Sequence, residues 1–75
     1  MANASAISRR LNHHVPGLRG KYVSRQVESD VVLTFTTDYD RRSGDKWRHY
    51  IAITLSPNYR TSTWNGNSLV ISDAS

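Results

Sequence analysis

Apolar positions in this 75-residue chain change their spacing several times, and each change marks an element. Ala4, Ile7 and Leu11 recur at helical spacing, so residues 3–14 predict a first helix with one apolar stripe. Asn3 or Ser5 is its N-cap candidate, and Pro16-Gly17 its stop. Two turns of stripe do not hold a helix alone in water, so it must dock on another element. Residues 21–37 alternate with period two and predict a hairpin. With Glu28-Ser29-Asp30 as its turn, Val27 is set opposite Val31, Arg25 opposite Leu33 and Val23 opposite Phe35. Val23, Val27, Val31, Leu33 and Phe35 then make the core face, with Arg25 intruding. Tyr22, Ser24, Gln26, Val32, Thr34 and Thr36 make the wet one.

Residues 38–46, dense in charge and turn formers, predict a polar loop. The next stretch fits two periods. Trp47, Tyr50, Ile51, Thr54 and Leu55 have helical spacing, while Trp47, His49, Ile51, Ile53 and Leu55 alternate as a strand would. Asp45 or Ser43 as N-cap and Ser56-Pro57-Asn58 as stop favour a helix ending near Ser56. Residues 59–72 predict a second hairpin about Asn65-Gly66, because both central positions of a type I′ turn require positive φ. A two-residue loop aligns Leu69 and Ile71 with Trp64; a three-residue loop aligns them with Tyr59, Thr61 and Thr63. The sum is a single α+β domain over residues 1–75, ordered helix–hairpin–helix–hairpin. It predicts a four-stranded antiparallel sheet with both helices on one face. The other face is expected to be open, carrying Tyr22, Gln26, Thr34 and Trp64.

Composition narrows the functions available. Leu, Ile, Val and Phe supply 16 of 75 residues, close to the level of about 20% below which disorder is the default; two Trp and four Tyr add the bulk that favours folding. The absence of cysteine removes disulfides, thiolate nucleophiles and cysteine-ligated zinc. The chain is too short for a dinucleotide-binding fold, and no cofactor is expected. No apolar run approaches the ~20 residues of a membrane span, and MANASAISRR lacks the apolar stretch of a signal peptide.

Charge is the most informative count. Residues 1–25 hold Arg9, Arg10, Arg19, Lys21 and Arg25 and no acid; the remaining fifty residues sum to −1. The formal net charge of +4 therefore arises in the first third. Eight of the ten basic residues are Arg, suited to bidentate recognition of phosphate or carboxylate. Nucleic acid or an acidic protein surface is the expected partner, with simple solubility as the plainer explanation. Arg9, Arg10, Arg19, Lys21 and Arg25 are the candidates for following a phosphate backbone, and Tyr22 or Trp64 for stacking on a base. Packing beside the Asn65-Gly66 turn is the plainer reading of Trp64, and snorkelling past Leu33 that of Arg25. Protein recognition would use the basic helix face or Tyr22, Val32 and Thr34, and a free sheet edge could pair two copies into a homodimer.

Catalytic chemistry is thinly supplied. His13 and His14 point about 100° apart on a helix and cannot grip one metal together. A metal would need His49 with Asp38 or Asp40, and no spacing demands it, so no metal is expected. A glycine-rich phosphate loop and a nucleophile elbow are both missing. A small basic ribonuclease toxin, which needs only one histidine and a few arginines, has this size and charge and stays as the enzymatic alternative, although the glycine-rich turn leading to a single buried histidine is absent. The expectation is a non-enzymatic protein.

Ala6–Leu11 (A-I-S-R-R-L), the V-E-S-D-V hairpin, the helix breaking at Asn58–Ser62 (N-Y-R-T-S) and the closing L-V-I-S strand together resemble small proteins encoded by phages of actinobacteria. Asn58 stands where that pattern has Gly, and Asn tolerates the left-handed conformation such a helix stop uses. The resemblance implies phage origin, the cytoplasm of a bacterial host as location, and a small effector that binds a host protein.

Overall fold

The computed structural model describes residues 1–62 and 64–74, with the side chains of residues 38–45 and 47 outside the description. The fold is α+β. Helix α1 (Ala4–His14) leads through a short 3-10 turn (Pro16–Leu18) to β1 (Tyr22–Val27) and β2 (Asp30–Phe35). Helix α2 (Thr37–Leu55) then precedes β3 (Tyr59–Thr61) and β4 (Ser68–Asp73). The sheet is antiparallel throughout, ordered β1-β2-β4-β3, so β2 and β4 are central and β1 and β3 are edges.

Helix α1 begins where Asn3 turns extended, with its side chain accepting the Ala6 N–H at 2.9 Å. It ends before Pro16, with the Val15 N–H on the Leu11 carbonyl. Ile7 and Leu11 are fully buried, and Ala4 packs beside them. They meet Val31, Leu33 and Phe35 of β2, Leu69 and Ile71 of β4, and Ile51 and Leu55 of α2, with Ala2 and Leu18 closing the ends. Phe35 is the largest buried side chain and stacks between Tyr22 and Trp64, at ring distances of 5.4 and 5.3 Å.

The first hairpin departs from the expected register. Its turn has two residues, Glu28 and Ser29, so Val27 pairs with Asp30, Arg25 with Val32, Val23 with Thr34 and Tyr22 with Phe35. The backbone of Glu28 takes φ +56°, a conformation side chains usually avoid, and the tight turn depends on it. A slip of one residue exchanges the faces of a strand. Thus β2 buries Val31, Leu33 and Phe35 as expected, whereas Val23, Arg25 and Val27 of β1 face outward and Tyr22, Ser24 and Gln26 face α1.

Polar contacts compensate on that inward face. The Gln26 side chain accepts the Ala4 N–H at 2.9 Å and donates to the carbonyls of Ala2, Glu28 and Asp30. The Tyr22 hydroxyl donates to Asn12 Oδ1 at 2.9 Å. Helix α1 is fastened to the edge strand by hydrogen bonds where the apolar stripe runs out.

Residues 45–55 are helical and the helix ends at Leu55, one residue short of Ser56, but it begins eight residues before Asp45. The expected loop over 38–46 is its first half. The stretch opens with Asp38 and Asp40, residue types the dipole favours at a helix start, and this outweighs the turn-forming character of Ser43 and Gly44. The helical-spacing role expected of the Trp47 side chain lies outside the described residues. Beyond α2 the Ser56–Pro57 peptide is cis, and Asn58 does not take the left-handed conformation expected of it.

The second hairpin turns on Gly66-Asn67, one residue later than expected. Asn65 and Ser68 exchange hydrogen bonds of 3.1 and 3.0 Å, and only Gly66 has positive φ, +62°. Glycine at the first central position is the requirement of a type II′ turn, where Asn65-Gly66 suggested type I′. Thr61 pairs with Ile71 and Tyr59 with Asp73, so both share the face of Ile71, while Trp64 packs against the same core. The two expected alignments therefore coexist, and Thr63 lies outside the described residues.

Candidate functional site

The basic residues of the first third are divided between opposite sides of the domain. Arg9 and Arg10 lie on α1, Arg19 and Lys21 are exposed on the connection from α1 to β1, and Arg25 stands on the open face of the sheet. None of these five side chains makes an ion pair with another described residue. One continuous track from Arg9 to Arg25 is therefore not formed, because the register of β1 turns Arg25 away from α1.

Tyr22 and Trp64 do not stand on the open face. Tyr22 is half-buried beneath α1, its ring against Phe35 and its hydroxyl on Asn12. Trp64 is half-buried on the other side of Phe35, with the Arg48 guanidinium 4.7 Å from its ring centre. The placement of these two rings on an exposed sheet face is overturned by their packing, and Trp64 takes the plainer, packed role. Gln26 is likewise turned toward α1, and of the four residues expected on the open face only Thr34 is there.

The open face carries a different set. Arg25, Val32 and Val70 form one cross-strand row, and Val23, Thr34 and Ser68 the next, with Thr34 Oγ1 and Ser68 Oγ 3.3 Å apart. Val27 and Arg60 lie toward one end of this surface. Val23 is 70% exposed, and Val27 and Val70 are exposed to about half that degree. The sequence hid this surface because its valines alternate as core valines do; only the turn length decides which way they point.

A second surface lies along α1. Ala6, Arg9, Arg10, His13 and His14 follow one helical ridge pattern and, with Tyr59 of β3, line an open groove of about 410 Å³. Arg10 Nε donates to the Thr54 carbonyl at 2.8 Å in the last turn of α2, which fixes the guanidinium in place. The His13 and His14 rings meet edge to face, with centres 4.9 Å apart. Among the described residues no carboxylate lines the groove. Arg9 and Arg10 were legible as candidates; Tyr59 was not, because only the fold brings it beside residues nearly fifty positions earlier.

Among the described residues no three or more His, Cys, Asp or Glu gather in a metal-binding arrangement. The alternative that pairs His49 with Asp38 or Asp40 falls on side chains outside the described residues. Among the described residues no helix is long and apolar enough to cross a membrane.

No protein-family model matches the chain, and neither a curated protein nor a solved structure matches it. The reading of function accordingly rests on these two surfaces.

Proposed function

We propose that this is a small, non-enzymatic binding protein, an effector of phage origin, whose open sheet face docks on a host protein in the bacterial cytoplasm. The observation that carries the reading is the alternation of exposed valines with Arg25 and Arg60 on a face that no described element covers. Apolar residues grouped on a small surface and edged by arginine are the composition of a protein interface. The partner implied has an apolar patch bordered by carboxylates, which Arg25 and Arg60 would meet.

Size sets the strength of such a complex. Three strands about 20 Å long and a fourth of about 10 Å, spaced about 4.8 Å apart, give a face of roughly 300 Å². A stable interface covers about 800 Å² per partner, so docking through the sheet alone is transient, and a tighter complex must extend past the β1 edge.

The test is affinity capture of the tagged protein from bacterial lysate with and without nuclease, repeated with Val23→Asp and Arg25→Glu together. Both positions are exposed, and the folded state of the variant is checked by circular dichroism. A defined protein retained after nuclease and lost with the double variant is the expected result. Retention unchanged by the variant, or capture abolished by nuclease, refutes the reading. Nucleic acid is the second reading, and the α1 groove favours it.

A further inference from the structure

We propose that the groove between α1 and Tyr59 is a binding site for a nucleotide unit, with the phosphate held by Arg9, Arg10 and the two histidines and the base against the tyrosine ring. The site is separate from the sheet face. Its elements are complementary to the two ends of a nucleotide. At one end, residues 9, 10, 13 and 14 set two guanidinium groups and two imidazoles along adjacent turns of one helix, facing an opening that no carboxylate of the described residues lines. Guanidinium groups bind phosphate oxygens in pairs, and imidazole N–H groups add further donors. At the other end is Tyr59, half-buried against the core and, among the described residues, the one aromatic ring besides the histidines that lines the groove. An aromatic face is what a base uses in single-strand recognition, with no sequence demanded of it.

Two details favour a ligand over a merely solvated helix face. Arg10 is held by the Thr54 carbonyl through Nε, which leaves its two terminal nitrogens out of that bond, and no acid among the described residues pairs with it. Among the described residues Arg9 has no hydrogen-bond or ionic partner through its side chain, and Ala6 one turn earlier is small. A volume of about 410 Å³ is within the range of small-molecule sites, roughly 300–1,000 Å³. Phosphate and base could come from a free nucleotide or from one unit of a single strand. The chemistry read by the groove is the same.

The experiment is an amide-resolved NMR titration of the full chain at low salt with adenosine monophosphate, a short single-stranded oligoadenylate, inorganic phosphate and a polyglutamate peptide. Shifts concentrated at residues 6–14 and 59 with the nucleotide are expected, and Arg9→Ala combined with His13→Ala should weaken binding about tenfold or more. Tighter binding of the oligonucleotide assigns the source to a strand; equal binding assigns it to free nucleotide. No shift with either, equal affinity for inorganic phosphate, or polyglutamate acting as strongly as the nucleotide overturns the proposal. So does a double variant that binds like the parent. Arg9 and His13 are exposed, so the variant keeps its fold, and none of these outcomes bears on protein docking at the sheet.

Discussion

Replacing Gln26 by Ala tests the register of β1 and the way α1 is attached. In the fold, one side-chain amide accepts from Ala4, in the first turn of α1, and donates to the carbonyls of Ala2, Glu28 and Asp30. Each such bond contributes about 0.5–1.5 kcal/mol net. Gln26 is partly open to solvent, so water restores some of them, and only the bond to Ala2 lies in part-buried surroundings. A total loss of about 1–2 kcal/mol follows, a large fraction of the roughly 3–5 kcal/mol that a core of this size supplies. In urea, with a slope near 1 kcal/mol per M, the midpoint should fall by about 1–2 M at unchanged slope. The companion variant is Val23→Thr. At an outward position it should change stability by less than about 0.5 kcal/mol, whereas in a core it would bury a hydroxyl at a cost of about 1–3 kcal/mol. A costly Val23→Thr with a silent Gln26→Ala would mean that the strand faces the other way, and the account of both surfaces would fall with it.

Other consequences are simpler to check. Tyr22→Phe removes only the hydroxyl that reaches Asn12, and should lower stability by about 1 kcal/mol in the same urea titration. Phe35→Ala leaves a void between Tyr22 and Trp64 and costs about 3–5 kcal/mol, enough to leave the chain largely unfolded by circular dichroism; a folded variant with native melting would show that the ring does not anchor the core. Gly66→Ala forces a side chain onto φ +62° and should cost about 1–2 kcal/mol, while Asn65→Ala should cost less, since the positive φ is not at residue 65; the reverse order would restore the Asn65-Gly66 turn.

The legible parts of this fold were those fixed by local chemistry. Asn3 and Pro16 delimit α1 because a cap and a missing N–H act within one turn. Leu33 and Phe35 declare the inward face of β2 because nothing polar competes there. The turn of the first hairpin was not legible. Glu28 is an unusual occupant of a left-handed position, and Val23 and Val27 offer an apolar alternation that fits the wrong face. The reward that decides the matter, an amide closing the start of α1, comes from contacts more than twenty residues apart in sequence. The same holds for the candidate surfaces. Arg9 and Arg10 stand out by charge, whereas Tyr59 in the groove and Val70 on the sheet become neighbours of their partners only after both hairpins have joined.

Strand order also dictates the sequence of events by which the chain assembles. Each hairpin closes over a short loop, which takes microseconds, but the central pairing of β2 with β4 spans α2 and joins residues such as Leu33 and Leu69. That closure is entropically the most demanding, and it brings together the two halves of the core. Changes at Leu33 or Leu69 should therefore slow folding, whereas changes in the α1–β1 attachment, made once the sheet exists, should chiefly hasten unfolding. The attachment of α1 to β1 is thus the first contact to loosen, while β1 stays paired with β2 in the sheet.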